Sequence, residues 1–195
     1  MPRIVHHVCG GSRMMRQRAE VVPHASGRVL EIGVGSGLNL SFYDPASVER
    51  VFGLDRSAEM LTLAASRASA APVDVELIEA CAESIPLESG SIDTIVVTWS
   101  LCTIPDLAAA TSEMHRVLVP DGKLLFCEHG VAPDIAVRRW QERLNPLWKI
   151  FSGGCSLDID VPARLRDGGF EVELHESAYQ RGFRPASFNY RGVAR

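Results

Sequence analysis

A glycine-rich turn near the N-terminus limits the folds open to this chain more than any other segment. It lies in RVLEIGVGSGLN, residues 28–39, where Gly33, Gly35 and Gly37 occupy alternate positions and Glu31 precedes the first of them. Glycine is favoured where φ must be positive or where a ligand approaches the backbone closely. The turn follows an apolar run typical of a buried strand and precedes a short helical segment. The segment therefore predicts a strand, a ligand-binding turn and a helix in succession.

The rest of the chain continues this alternation of apolar strands and amphipathic helices. Strands are expected near residues 48–55, 73–80, 91–100 and 122–129, with helices between them. Such alternation predicts a mostly parallel sheet with helices on both faces. Two final strands, at 170–178 and 186–194, have no helix between them and predict an antiparallel hairpin at one edge. We therefore expect an α/β fold with a seven-stranded, mostly parallel sheet.

Composition narrows the possible functions. The 195 residues suit one domain, and the net charge of -4 gives no electrostatic footprint for nucleic acid, so we expect no nucleic-acid partner. No apolar run reaches the roughly 20 residues that span a bilayer, and the first residues lack the apolar core of a signal peptide. A cytoplasmic protein is the resulting expectation. The five scattered cysteines are expected to be reduced; Cys81 is predicted to be buried, and Cys155 to be an inert loop thiol.

The spacing of the glycines separates the candidate ligands. Dinucleotide sites favour GxGxxG, but Leu38 occupies the place of the third glycine. Asp55 ends the second strand about twenty residues after the turn begins, where a carboxylate can accept hydrogen bonds from ribose hydroxyls. S-adenosylmethionine has a ribose but no phosphate, and it fits this combination better than a dinucleotide does.

Several motifs together resemble the class I S-adenosylmethionine-dependent methyltransferases. They are the glycine motif VLEIGVGSG, the acidic motif GLDRSAEML, the segment ACAESIPLESGSIDTIVV and the fifth-strand motif HRVLVPDGKLLFCEHG. The resemblance covers nearly all of residues 28–195. It implies a Rossmann-like fold that binds S-adenosylmethionine and releases S-adenosylhomocysteine.

The resemblance also implies which residues bind the cofactor. The three glycines line its methionine and ribose, Asp55 holds the ribose hydroxyls, and Met60 packs near the adenine or ribose edge. Ala82 offers its backbone N–H to the adenine, and Cys81 stands where the family often has an aspartate. The predicted cofactor-binding residues are Glu31, Gly33, Gly35, Gly37, Asp55, Met60, Ala82, Glu83 and Trp99.

A narrower resemblance concerns the methyl acceptor. The segments WSLCTIPDLAAATSEMHRVLVPDGKLLFCEHG, WQERLNPLWKIFSGGCSL and FRPASFNYRGVAR are similar to the membrane-associated alkyl thiol methyltransferases of the methyltransferase-like family. This implies a small apolar thiol as acceptor. His129, at the end of the fifth strand, is the candidate base, whereas Glu128 points to the opposite face as a structural residue. Ser100 and Trp148 are expected to contact the substrate. Two alternatives stay open, a phospholipid (phosphatidylethanolamine-type) N-methyltransferase and a non-catalytic S-adenosylmethionine-binding module.

The segment before the first strand is interpreted as a separate unit. We expect a helical lid within residues 1–27, with Ser12 as the N-cap of a helix over 12–22, ahead of a methyltransferase domain at 28–195. Its arginines at 13, 16 and 18 are expected to form an exposed face, and they leave peripheral contact with lipid head groups open. His6, His7 and Cys9 have ligand chemistry, but no second cluster completes a site, so no metal is expected. The oligomeric state is left open.

Overall fold

Seven strands form a single sheet in the computed structural model, which describes residues 10–195. The strands run in the order β3-β2-β1-β4-β5-β7-β6, and the pairings among β1 to β5 are all parallel. β7 pairs antiparallel with both β5 and β6, which confirms the predicted C-terminal hairpin. The strands are β1 (Gly27–Ile32), β2 (Val48–Asp55), β3 (Asp74–Glu79), β4 (Ile92–Thr98), β5 (Leu118–His129), β6 (Val172–Tyr179) and β7 (Phe188–Ala194).

Five α-helices of the described residues flank the sheet: α1 (Ser12–Val21), α2 (Ala58–Ser69), α3 (Leu107–Val117), α4 (Ile135–Phe151) and α5 (Val161–Asp167). The side chain of Ser57 caps α2 by accepting from the Met60 N–H. The predicted cap of α1 is wrong, because Gly11 occupies that position and Ser12 is the first helical residue. Pro146 does not divide α4, which continues through it to Phe151.

Two apolar clusters fill the spaces between the sheet and its helices, and β4 contributes to both. Ile95 and Val97 belong to the cluster with α3 and α5, whereas Val96 belongs to the cluster with α1 and β2. A strand buried on both faces suits the centre of a parallel sheet. The chain passes from β1 to β2 and β3 on one side, and then returns to β4 on the other. Ligands of open α/β sheets bind outside the carboxyl ends of the strands at such a switch point.

The N-terminal helix is built into one of these clusters. Val21, Val22 and Ala25 are almost completely buried and pack with Val29 of β1. Arg18 is only 5% exposed, so the expectation of an exposed side chain is wrong at this position. Arg13 and Arg16 are exposed as expected. Within residues 10–195, no helix combines the length and the apolar character needed to cross a bilayer.

Candidate active site

The glycine turn is held in a conformation that suits glycine alone. Gly33, Gly35 and Gly37 have φ values of 69°, 55° and 78°. A Cβ atom at Gly33 would lie 2.3 Å from the Ser100 Oγ, so even alanine would clash there. The Gly35 N–H donates to the Asp55 Oδ2 at 2.9 Å, which ties the turn to the end of β2. The turn and the carboxylate are therefore one structural unit.

A cleft of about 300 Å³ opens beside this turn at the carboxyl ends of β1, β2 and β4. Seven of the nine residues predicted to bind the cofactor line it: Gly33, Gly35, Asp55, Met60, Ala82, Glu83 and Trp99. Glu31 and Gly37 do not line it. Ser100, predicted to contact the acceptor, lines this cleft as well. Cys81 is exposed, which corrects the prediction of a buried thiol.

Glu31 lies behind the turn in a buried polar network. Its carboxyl accepts hydrogen bonds from the Tyr43 O–H at 2.8 Å and from the Asn39 Nδ2 at 3.0 Å. Burial raises the pKa of Glu31 to about 7, against the opposing effects of Tyr43, Arg18 and Asn39. Its contacts fix the loop after the turn, so Glu31 has a supporting position and is not in reach of the cleft.

Arg18 joins the N-terminal helix to this network. Its Nη1 donates to the Asn39 Oδ1 at 2.6 Å and to the Thr98 Oγ1 at 2.7 Å. The guanidinium also lies 4.9 Å from the centre of the Trp99 ring, within cation–π range. Arg18 itself lines the cleft. The sequence interpretation missed this residue because a basic residue on an amphipathic helix usually faces solvent.

Trp99 forms the boundary between the cleft and a second cavity. Its φ of 52° is unusual for a residue with a bulky side chain, and such strain is concentrated at functional sites. The second cavity has a volume of about 430 Å³, and Trp99, Thr103 and Ser152 line both spaces. The cavities therefore meet at the tryptophan.

Aromatic and apolar side chains supply most of the wall of the second cavity, and polar side chains, among them Arg13, Gln17 and Asn189, line the rest. Trp148, predicted to contact substrate, lines it and stacks on Phe183 with 6.1 Å between ring centroids. Phe151 and Met14 add further apolar surface, and His129, the predicted base, lines the same space. A small apolar molecule with one polar reacting group matches this lining.

His129 is paired with a cysteine that sequence reasoning set aside. Its Nε2 lies 3.0 Å from the Cys155 Sγ, and its buried Nδ1 has no hydrogen-bond partner among the described residues. Burial disfavours the imidazolium, but the hydrogen bond and charge of Cys155 outweigh it and raise the pKa of His129. The Cys102 thiol and then His129 lower the pKa of Cys155. Cys155 therefore contacts a histidine on the wall of a cavity, so the expectation of an inert loop thiol is wrong.

Glu128 directly precedes His129 at the end of β5. The Glu128 carboxyl is fully buried on the opposite side of β5, and its Oε1 accepts from the Ser100 and Leu101 N–H groups. It is a structural residue, as expected.

Cys102, His129 and Cys155 together form a potential metal-ligand group that chain spacing did not reveal, because the sheet topology brings them together. His6, His7 and Cys9 lie outside the described residues.

The strand order, the glycine turn and the acidic end of β2 define a class I methyltransferase fold. Residues 30–126 match the family described as "Methyltransferase domain". One solved structure with this fold is an S-adenosylmethionine-dependent methyltransferase from Thermotoga maritima, described as a possible histamine N-methyltransferase. The superposition covers 98% of this chain and 97% of the Thermotoga chain, with a TM-score of 0.70 and 20% sequence identity. The Bacillus subtilis YcgJ protein superposes with a TM-score of 0.64, also at 20% identity, over 97% of this chain and 95% of its own.

Sequence relatives support the same assignment. The human thiol S-methyltransferase TMT1B is 33% identical over 157 residues, which are 77% of this chain and 64% of the relative. The demethylmenaquinone methyltransferase of Thermus thermophilus is 30% identical over 64% of this chain and 58% of its own length. The chain thus spans less than two thirds of these curated relatives. Residues 30–126 are thus a methyltransferase domain within a class I fold, for which S-adenosylmethionine is the cofactor.

Proposed function

We propose that this protein transfers the methyl group of S-adenosylmethionine to a small apolar thiol by in-line displacement. The main support is the arrangement of two cavities that meet at Trp99. One is the cleft at the glycine turn, and the other is a mostly apolar cavity lined in part by His129. The donor sulfonium is already activated, so alignment of donor and acceptor and exclusion of water supply most of the catalysis. Two adjoining cavities provide that alignment.

The donor would occupy the cleft beside the glycine turn. Asp55 would accept hydrogen bonds from both ribose hydroxyls, since a carboxylate has acceptor sites beyond those used by Gly35 and Ser57. Ala82 and Glu83 would lie at the adenine end, and Met60 at the adenine or ribose edge. Trp99 would then stand close to the transferable methyl group, at the passage to the second cavity.

The acceptor would occupy the aromatic cavity, with its sulfur near His129. A thiol with a pKa of about 8.5 is partly ionised at neutral pH, and a nearby group that removes its proton raises the thiolate fraction. His129 is our candidate for the residue through which this proton is lost. Trp148 and Phe183 would pack on the apolar part of the acceptor. The similarity to thiol S-methyltransferases over 77% of this chain favours the same acceptor class.

One observation favours the alternative of a lipid amine acceptor. Trp140, Leu147 and Phe151 are exposed on α4 by 56%, 58% and 71%, and Phe151 also lines the acceptor cavity. Arg139 and Arg143 lie on the same helix and are also exposed. An apolar, basic helix face suits peripheral contact with an anionic membrane surface. Phosphatidylethanolamine is therefore the second acceptor to test.

The experiment is a methyl-transfer screen read by mass spectrometry. Small apolar thiols, matched amines and phosphatidylethanolamine vesicles are each incubated with the protein and S-adenosylmethionine. A methyl thioether supports the proposal, whereas a methylated lipid amine replaces it with the alternative. Binding of the cofactor with none of these acceptors methylated would contradict both and favour a non-catalytic binding module.

The role of His129 is tested in the same screen. His129→Gln should lower kcat for thiols at neutral pH by about 100-fold or more, the usual contribution of proton transfer by a positioned side chain. His24→Gln is the matched control, because His24 is exposed and lies in neither cavity. Full thiol turnover by His129→Gln would show that this residue plays no part in proton removal.

A further inference from the structure

Three side chains with soft-metal ligand chemistry converge on the wall of the acceptor cavity. The Cys102 Sγ, a ring nitrogen of His129 and the Cys155 Sγ all lie within 4.8 Å of one another, and His129 Nε2 and Cys155 Sγ are 3.0 Å apart. Around a tetrahedral zinc ion such ligand atoms are separated by roughly 3.5 Å, given bond lengths of about 2.1–2.3 Å. The His129–Cys155 separation of 3.0 Å is slightly below that value, and the others do not exceed 4.8 Å. All three residues line the cavity.

The backbone holds these three positions from different elements. Cys102 lies in a 3-10 turn, Leu101–Thr103, whose first N–H groups are fixed by the buried Glu128 carboxyl. The Ser156 N–H donates to the Cys102 carbonyl at 2.9 Å, which joins the loop of Cys155 to that turn. His129 ends β5. The ligand positions are therefore set by the fold and not by one flexible loop.

Buried hydrogen bonds also fix the loop that carries Cys155. The Leu157 N–H donates to the Asn145 Oδ1 at 3.0 Å, and the Asn145 Nδ2 donates to the Asp158 Oδ1 at 2.6 Å. Asn145 is on α4 and almost fully buried, so the loop is anchored directly to the helix. Cys155 is thereby held toward His129.

The donor set selects the kind of ion. Two thiolates and one imidazole match zinc and other thiophilic ions, whereas magnesium and calcium require oxygen ligands. Three protein ligands with a fourth position open to a cavity are the arrangement of catalytic zinc sites. Two thiolates also neutralise the charge of a divalent ion within this partly buried wall. The other two described cysteines differ, since Cys81 is exposed, Cys127 is fully buried, and neither lines the cavity.

We propose that Cys102, His129 and Cys155 bind Zn²⁺, with the fourth coordination position open to the acceptor cavity and filled by the acceptor thiol as a thiolate. The second part rests on the proposed thiol methyltransferase function, whereas the ion site does not. Coordination to the ion deprotonates a thiol at neutral pH. In this arrangement the zinc ion takes the place of the proton on the acceptor sulfur. His129 contributes to the loss of that proton because it binds the ion.

The reaction balances without any further reactant. The acceptor R–SH binds as RS⁻, and its proton leaves to water. A sulfur lone pair attacks the methyl carbon of S-adenosylmethionine and forms the new C–S bond. The electrons of the breaking C–S bond return to the sulfonium sulfur, which leaves as neutral S-adenosylhomocysteine. The thioether product is a neutral and weak ligand, so it dissociates and frees the fourth position.

Metal content and cobalt spectroscopy test the ion site without any activity measurement. Purified protein, dialysed with zinc and then freed of excess, should retain one zinc ion per chain. Replacement by Co²⁺ should give the visible bands and the sulfur-to-cobalt charge-transfer absorption of a tetrahedral thiolate site. Cys155→Ser and Cys102→Ser should each weaken zinc affinity at least tenfold, while Cys81→Ser should leave it unchanged. S-adenosylmethionine binding by each variant shows that it is folded.

Two results would overturn the ion site. The first is a folded wild-type protein that retains no zinc above the level of Cys155→Ser. The second is zinc retention that survives both cavity-cysteine substitutions. If chelator-treated protein without zinc methylates thiols at the full rate, coordination of the acceptor by the ion is wrong, the proposed function stands, and metal content alone decides the ion site. If the protein holds zinc at these residues but methylates no thiol, the proposed function and thiol coordination fail while the ion site stands.

Discussion

Both oxygens of the Asp55 carboxylate accept backbone hydrogen bonds, from Gly35 at 2.9 Å and from Ser57 at 2.9 Å. These bonds place the carboxylate at the mouth of the cleft, where it would meet the ribose hydroxyls. Asp55→Ala removes hydrogen bonds to a charged group, each worth about 1.5–3 kcal/mol. We expect S-adenosylmethionine to bind at least about tenfold more weakly, as measured by isothermal titration calorimetry.

The control for this variant is Asp74→Ala. Asp74 lies at the start of β3, its side chain is 61% exposed, and it pairs with Arg50 away from the cleft. The Asp74→Ala variant should bind S-adenosylmethionine with the same affinity as the wild type. Equal affinity in Asp55→Ala as well would remove the basis for the ribose assignment.

The Glu128 carboxyl should make stability depend on pH. Burial raises its pKa from 4.5 to about 7, although the N–H groups of Ser100 and Leu101 oppose the shift. The Oε2 has no partner among the described residues, so a proton on that oxygen breaks no hydrogen bond. Because the folded-state pKa is raised, the stabilisation is intact below pH 4.5 and is lost as the pH rises through 7.

Glu128→Gln tests this directly, since glutamine mimics the protonated carboxyl at every pH. Between about pH 5 and about pH 8 the melting temperature of the wild type should fall relative to that of the variant. Glu31 has a similarly raised pKa but is present in both proteins, so its effect cancels in the difference. A constant difference across this range would show that Glu128 has an ordinary pKa.

At the scale of elements, one buried side chain connects α1 to the sheet. Arg18 donates to Asn39 and Thr98 and covers Trp99, so it links α1 to the loop after the turn and to the end of β4. Arg18→Met keeps an apolar stem but removes these donors. We expect a loss of about 2 kcal/mol in stability and weaker S-adenosylmethionine binding, measured by urea unfolding and calorimetry. Arg16→Met, on the exposed face, should change neither quantity.

The sequence predicts elements better than it predicts pairings between them. The β1–turn–β2 unit follows from local signals, because positive φ values, the glycines and the cap at Ser57 act within a few residues. The potential metal-ligand group consists of Cys102, His129 and Cys155. It forms only because the fold brings together β5, a 3-10 turn and the loop after α4. No local pattern encodes that meeting. Arg18 was likewise misjudged because its partners lie 21 and 80 residues away.

For the whole molecule, the open question is whether residues 1–27 form a separable lid. Val21, Val22 and Ala25 are core residues in contact with the sheet, and each buried valine contributes about 1.5–3 kcal/mol. Marginal stability of a single domain makes the loss of two such residues severe. We therefore expect deletion of residues 1–27 to lower the melting temperature strongly or to prevent folding.

Deletion of residues 1–10 is the matched control, because it keeps α1 and every core residue that the structure describes. Its melting temperature should lie well above that of the longer deletion. Differential scanning calorimetry of the three proteins, with and without S-adenosylmethionine, separates the two possibilities. If residues 1–27 are a lid, then without cofactor the longer deletion should melt at the same temperature as the full chain. Only the rise in melting temperature on addition of S-adenosylmethionine should be lost. A core element would lower the melting temperature under both conditions, and the packing of Val21 and Val22 makes that the expected result.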